Sequence, residues 1–560
     1  MKVLDLLDGL ERLKTVHGGD AAEQRLSLLR ELDRRRLPEP EDVERLHECL
    51  CFARAYPDNR EVLAQVQGML AGFSGRSDLR RFRRYLGQTA IAGTEIQFPF
   101  FWPTARWLAK KWPGKLHVDW SWWKSEGPKR LVEQVLPLIL PYSETPALDS
   151  LDRTAKDWLG RLKGAKEGDA GFLIRRFETL PGDRNTRESL YDSLDVPVIV
   201  EPGEGTPNRT LAGYPKSPVV FQTGPMDRSR PSLTKELEQP PVSVRKVPPR
   251  EADRLLDLTR EAMVNRLRDL YSFSHADRDD VGLVNAGGGL QFVCIGTLPE
   301  RRLMLESVYG FLTLKNGVPI GYVLASTLFG STEVAYNVFE TFRSGEAARV
   351  FGRVLAMCRH LFGSKSFSID PYQLGYGNPE GLQSGAWWFY YKLGFRPKDP
   401  DVKRLVRGEL AAMKKKPGHR TGPEILEQIA SRYLYFEPEG AGGPLLGGMP
   451  LGNAGLKIGE YLAGNYGADR ERGIRECSAE AARVLGVRSF SRFTPNQRLW
   501  WKRWSPLVLL LPGVKRWSPA NRKALVEVIK AKGGRSEIGF VQEFDKHKQL
   551  QRALLKLIQG

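Results

Sequence analysis

Hydrophobic residues recur at helical spacing through the first 170 positions. Val3, Leu6, Leu7, Leu10 and Leu13 make one apolar stripe, and Leu26, Leu28, Leu29 and Leu32 continue it. Asp58 and Asn59 stand before REVLAQVQGMLAGF as N-cap residues for a further helix. Segment 98–124 holds six of the thirteen tryptophans. That concentration suits a helix-rich core built on large rings; stacking on bases or holding a lipid-like tail is the alternative. Residues 1–170 are therefore predicted to form a mainly helical domain. The periodicity then fails. Ten prolines fall between 201 and 250 with glycines among them, so 171–241 is predicted as an irregular Pro/Gly-rich linker.

From 242 the pattern alternates. VSVRKV (242–247) reads as a strand, and 250–271 as an amphipathic helix with Leu255, Leu256, Leu258, Met263 and Leu267 on its apolar side. After an irregular stretch, 308–327 reads as two strands joined at Asn316-Gly317, the dipeptide that best accepts two positive φ angles in succession. A third strand (333–342), a loop (RSGEAA), a helix (348–362) and a strand (365–370) follow. The aromatic run Trp387 to Tyr391 predicts a short helix stopped by Gly394. Past 400 the spacing is helical again over 404–416 and 423–434, a helical extension covering 401–438. A glycine-rich linker (439–455) leads into a helical C-terminal region (456–560), clearest over 519–532 and 537–558.

A chain of 560 residues exceeds one ordinary core and predicts about two to four domains. The longest aliphatic run, Leu507 to Leu511, is far short of the roughly 20 residues that span a bilayer. The N-terminus mixes acids and bases at helical spacing and does not read as a secretory signal, which leads to the expectation of a cytoplasmic protein without a membrane span. Five scattered cysteines and seven dispersed histidines give no disulfide framework and no metal-ligand spacing. The net charge of +19 is uneven: 481–560 carries 17 Lys/Arg against 4 Asp/Glu. Such a basic end attracts nucleic acid or an acidic partner; the alternative is a solvated helical face.

Two motifs carry a family resemblance. In YNVFETFRSGEAARVFG (336–352), a strand runs through Arg343 into a helix, with Ala348 at the last small position of an Arg/Gln-x-x-Gly-x-Gly/Ala signature. Glu346 stands where that signature has its central glycine, and Gly345 lies one residue early. In Gln383-Ser-Gly-Ala386-Trp-Trp-Phe-Tyr390-Tyr-Lys392-Leu-Gly394-Phe395, the pattern Asn-x-x-Ala-x-x-x-Tyr-x-Lys-x-Gly-Phe is in register, with Gln for Asn. Together with the element order, these make 242–400 resemble the GNAT N-acetyltransferase superfamily. The resemblance implies an α+β fold: a central mixed sheet flanked by mainly helical N- and C-terminal domains.

It also implies chemistry. An amine attacks the thioester of an acyl-CoA, most simply acetyl-CoA, directly. Val338, Phe339, Arg343, Ser344, Gly345, Glu346, Ala347, Ala348 and Gln383 are the implied cofactor-binding positions: strand amides for the carbonyl, loop amides and helix dipole for the diphosphate. Tyr390 is the implied general acid for the leaving thiolate, with Tyr391 as its neighbouring alternative. Glu333 and Glu340 are candidate bases for the amine, and Asp370 is a third. The insertion 371–383 is placed to shape the acceptor site. The acceptor itself stays an unidentified amine. Two other readings remain open: the same fold using another donor such as aminoacyl-tRNA, and a domain without catalysis in a scaffold or nucleic-acid-binding protein.

Overall fold

The structure, a computed structural model, describes residues 2–124 and 126–559. It is mixed α+β with one large mixed sheet. The chain forms two compact units, Met1–Met226 with Asp253–His275 and Lys315–Pro319, and Asp227–Ala252 with Ala276–Leu314 and Ile320–Gly560.

In the first unit the apolar stripes do form helices, Val3–Leu13, Ala21–Asp33, Pro40–Ala55 and Arg60–Ala71. Asn59 caps the last of these, accepting from the Val62 N–H at 2.9 Å. Asp58 turns inward to a buried knot with Arg25 and His17. Trp102 and Trp123 enter the core, whereas Trp122 is exposed. Three short strands, β1 (Ile96–Phe98), β2 (Leu116–Val118) and β3 (Val198–Val200), pair antiparallel in the order β1-β3-β2. The expected linker is therefore ordered over its first part. Helices Asp169–Arg176 and Arg184–Asp192 precede β3, and β3 is the middle strand of that sheet.

The second unit is built on nine strands: β4 (Ser243–Lys246), β5 (Ala276–Gly287), β6 (Leu290–Thr297), β7 (Ser307–Lys315), β8 (Val318–Leu328), β9 (Ser331–Val338), β10 (Ser366–Ile369), β11 (Arg396–Pro397) and β12 (Leu434–Phe436). Their order is β11-β12-β10-β9-β8-β7-β6-β5-β4. Asn316 and Gly317 take φ of 50° and 78° between β7 and β8, the two-residue turn that the dipeptide dictates. A second such turn, Gly288-Gly289 (φ 57° and 75°), joins β5 to β6. These two strands occupy a stretch that reads as irregular, because Asp277, Asp279 and Asp280 look like loop residues. Asp280 is instead buried, accepting from the Tyr309 hydroxyl at 2.7 Å and lying over Gly296, where a Cβ would meet its carboxylate.

The crossover from β9 to β10 is the helix Ala347–Phe362, and β10 runs parallel to β9. After the aromatic helix Ala386–Lys392, Gly394 takes φ 109° and the chain enters β11. The segment expected as one helix over 423–434 ends at Ala430, and β12 follows, inserted between β10 and β11. The C-terminal helices belong to this same unit. Trp500 and Trp504 bury their rings and donate to the Pro299 and Met304 carbonyls at 3.0 Å. The helix expected over 537–558 breaks at His547 into Glu537–Lys546 and Lys548–Gln559. Among the described residues no helix is long and apolar enough to cross a membrane.

Candidate functional site

Strand β9 pairs with β8 at eight positions, from Leu328 opposite Ser331 to Gly321 opposite Val338. With β10 it pairs at only three, Ser331 to Glu333 against Ser366 to Ser368. Beyond Glu333 the two parallel strands part. The ladder fixes which main-chain groups face the opening. Phe339 N–H donates to the Ile320 carbonyl at 2.9 Å, so 339 and 320 are a hydrogen-bonded pair. Alternate residues then direct their N–H and C=O groups away from β8. Val334, Tyr336 and Val338 thus face the side from which β10 has departed. Consistently, the Val338 carbonyl is met there by Arg343 Nε at 3.3 Å.

The loop after β9 is a single 3-10 turn, Glu340–Phe342. This corrects the expected strand over 333–342. Strand geometry stops at Val338, so Glu340 is an exposed turn residue and not the far end of a strand. Arg343, also exposed, forms an ion pair with Glu380 on the helix Pro379–Gln383. Arg343 therefore links the end of β9 to the segment that follows β10. The Ser344 carbonyl accepts from Arg228, and the Gly345 N–H donates to the Phe342 carbonyl at 3.0 Å. Glu346 is the N-cap of helix Ala347–Phe362 and supplies no side-chain cap bond. The first-turn amides of that helix, beginning at Ala347 and Ala348, are the group an anion would meet. Gln383 is exposed at the end of its short helix.

Side-chain alternation separates two faces. Tyr336 packs on Phe351 of helix Ala347–Phe362 at 5.3 Å between centroids. Phe351 also meets Tyr390 at 5.3 Å and Phe395 at 5.9 Å, so the aromatic helix lies on this face too. Tyr390 is 3% exposed, and burial pushes its phenol above the ordinary tyrosine range. The expectation that this ring lines a groove as general acid is corrected. Four aromatic side chains hold it in the core, where a proton is harder to give up. Tyr391 stacks on Trp387 at 5.1 Å, with the Arg396 guanidinium 4.2 Å over its ring.

Glu333 faces the other way. Its cross-strand partners are Ser326 and Ser368, and Ser368 is opposite Tyr435 on β12. In-register residues share a face. Glu333 is mostly buried, and its carboxyl is raised to about 7, by burial first and then by the Asp370 and Glu306 carboxylates; the Tyr433 hydroxyl opposes this. No cation is among the groups that shift it. Asp370 caps the helix Pro371–Leu374 by accepting from the Tyr372 N–H at 2.8 Å. Tyr433 is raised by burial and by the same two carboxylates, Glu333 and Asp370. Tyr435 donates its hydroxyl to the Gly447 carbonyl at 2.8 Å, so the glycine-rich segment lies against the sheet here.

The sequence thus places Glu333 and Asp370 in one cluster and leaves Glu340 outside it. It does not reveal Glu306, Ser368, Tyr433 or Tyr435. The alternating Tyr433-Leu434-Tyr435-Phe436 is a strand signal, masked by the helical spacing just before it. No protein family, curated protein or solved structure matches this chain.

Proposed function

We propose that the second unit is an acyl-CoA-dependent N-acyltransferase, most simply using acetyl-CoA, that acylates a primary amine by direct attack. One observation carries this reading: β9 leaves β10 after three pairs, and a carboxylate with a pKa of about 7 stands where the strands divide. A gap between parallel strands admits a donor from one face and an acceptor from the other. The helix N-terminus and Arg343 lie on the donor side, where an anionic diphosphate is favoured. Glu333 lies on the acceptor side.

The steps follow from these positions. Glu333, half ionised near neutral pH, takes a proton from the acceptor ammonium and releases a nucleophilic amine. The amine nitrogen bonds to the thioester carbon while the Val338 N–H polarises the carbonyl oxygen. The C–S bond then breaks, and the electron pair leaves on sulfur. Tyr390 is too deeply packed to be assigned the last proton, so the thiolate takes it from water. Calorimetric titration with acetyl-CoA and a thiol-release assay on Glu333→Gln test the reading. Binding with turnover reduced at least about 100-fold in the variant is expected, within the range for general-base loss. No acetyl-CoA binding at millimolar concentration would overturn it.

A second reading keeps the cleft but changes the donor. Glu346 puts a carboxylate at the N-cap of the helix, and Arg343 is already paired with Glu380. Both favour a donor without a diphosphate at that position, such as an aminoacyl ester on RNA. Titration with a minimal aminoacyl ester separates the two.

A further inference from the structure

The acceptor side of the cleft has a chemical character of its own. Glu333, Asp370 and Glu306 bring three carboxylates into mutual range, and no cation is among the groups that perturb Glu333. Tyr433 and Tyr435 lie on the same face through the register with Ser368. Immediately after Asp370, the insertion presents two further rings, Tyr372 at 56% exposure and Tyr376 at 50%. A second and independent observation comes from Ser368. It is 0% exposed, sits between Glu333 and Tyr435 in that row, and its Oγ has no hydrogen-bond partner among the described residues. A buried hydroxyl without a partner is expensive to keep, unless something polar occupies the space beside it.

Clustered carboxylates repel one another, and a bound cation relieves that repulsion. Tyrosine faces add attraction for an ammonium group. An acceptor with a negative charge next to its amine, such as a free α-amino acid, would add a further anion to the three already there. We infer that this cluster selects an acceptor carrying a primary ammonium on an aliphatic stem together with a second positive charge, as in a short diamine, a polyamine or a lysine side chain in a basic peptide. The inference rests on the acyltransferase reading for what happens next, but the recognition it describes is a binding property of the full chain and is measured without any donor. Glu333 is at the gap and meets the reacting nitrogen. Asp370 and Glu306 hold the second charge.

The test is titration calorimetry of the full-length chain at pH 8 with 1,5-diaminopentane, spermidine, a lysine-containing basic peptide, butylamine and glutamate. At least one dication is expected to bind tenfold or more tighter than butylamine, and glutamate more weakly than either. Asp370→Asn should remove most of the preference for the dication and leave butylamine and acetyl-CoA binding unchanged. Tyr376→Leu, at an exposed position, repeats the test without touching the core. The peptide and the free amines separate a protein acceptor from a small one. If butylamine binds as well as every dication, or if Asp370→Asn and Tyr376→Leu both leave the preference intact, the inference is wrong even when acetyl-CoA binds. If the dication preference holds and acetyl-CoA does not bind, the acceptor site stands and the donor assignment falls.

Discussion

Glu333 is the residue whose environment says most. Its carboxyl titrates near 7 in the folded chain against about 4.5 without these neighbours. Between those values the folded state holds more protons than the unfolded one, so stability falls as pH rises through this window. Above 7 both states are ionised and the folded state carries the full cost, up to about 3 kcal/mol from the size of the shift. Glu333→Gln is accordingly expected to raise the unfolding midpoint at pH 8 and to leave it unchanged near pH 4.5; equal midpoints at both pH values would mean the carboxyl is not strained. Tyr390 leads to the opposite expectation from the one its motif suggests. With its ring packed on Phe351 and Phe395, Tyr390→Phe keeps the packing, and turnover should change by less than about tenfold, below the range usual for losing a general acid. A loss of about 100-fold with unchanged acetyl-CoA affinity would restore the phenol as the acid. The chain does declare Glu333 as a candidate through its place before the loop. It does not declare the pKa, which depends on Asp370 and Glu306 arriving from 37 residues later and 27 residues earlier.

Elements with a strong local signal are legible: the Asn316-Gly317 hairpin, the helix Ala347–Phe362 and the aromatic helix ended by Gly394 all follow from nearest-neighbour chemistry. Elements whose polar residues are satisfied from afar are not. β5 begins with ADRDD and reads as a loop, since nothing nearby shows that Tyr309 will receive Asp280. The same holds for the C-terminal helices, which look like a detachable basic tail. They are fastened to the segment before β7 by a buried ionic cluster. Arg302 donates to the Lys532 and Gly534 carbonyls, and Lys532 Nζ bonds to Glu537 and to the Glu306 carbonyl at 3.0 Å. Lys532 is 0% exposed and Glu537 2%. Glu537→Gln leaves two buried cations facing one another and should cost about 3–5 kcal/mol. Lys532→Met leaves Glu537 beside Arg302 at 3.7 Å and should cost less. Denaturant titration of both variants checks the order; a reversed order would show that Arg302 does not compensate Glu537.

At the scale of the whole molecule the excess charge has to be accounted for. The last 80 residues supply 13 of the +19, yet they share one compact unit with the nine-stranded sheet. Deleting them would expose the surface that Trp500 and Trp504 cover, so loss of binding in a truncated chain would say nothing about charge. Part of the basic content is also spent inside the fold: Lys532 is buried, Arg522 donates to the Val484 carbonyl, and Lys530 and Lys546 pair with Glu527 and Glu543. Lys515, Arg516 and Lys523 are exposed, the first two on the turn Val514–Arg516 and the third on the adjoining helix Pro519–Lys532. Reversing all three to glutamate lowers the net charge by six without entering the core. Counterion release makes polyanion affinity fall steeply with salt, with a log–log slope near −0.7 for each phosphate neutralised on a single strand. Binding of a single-stranded oligonucleotide at about 50 mM salt, lost by about 200 mM, is the expected behaviour of the unaltered chain. The triple reversal should weaken it at least tenfold and reduce the salt slope, with the unfolding midpoint unchanged. If the triple variant binds as the unaltered chain does, this surface is only a solvated helical face, and the basic excess serves solubility rather than a nucleic-acid partner.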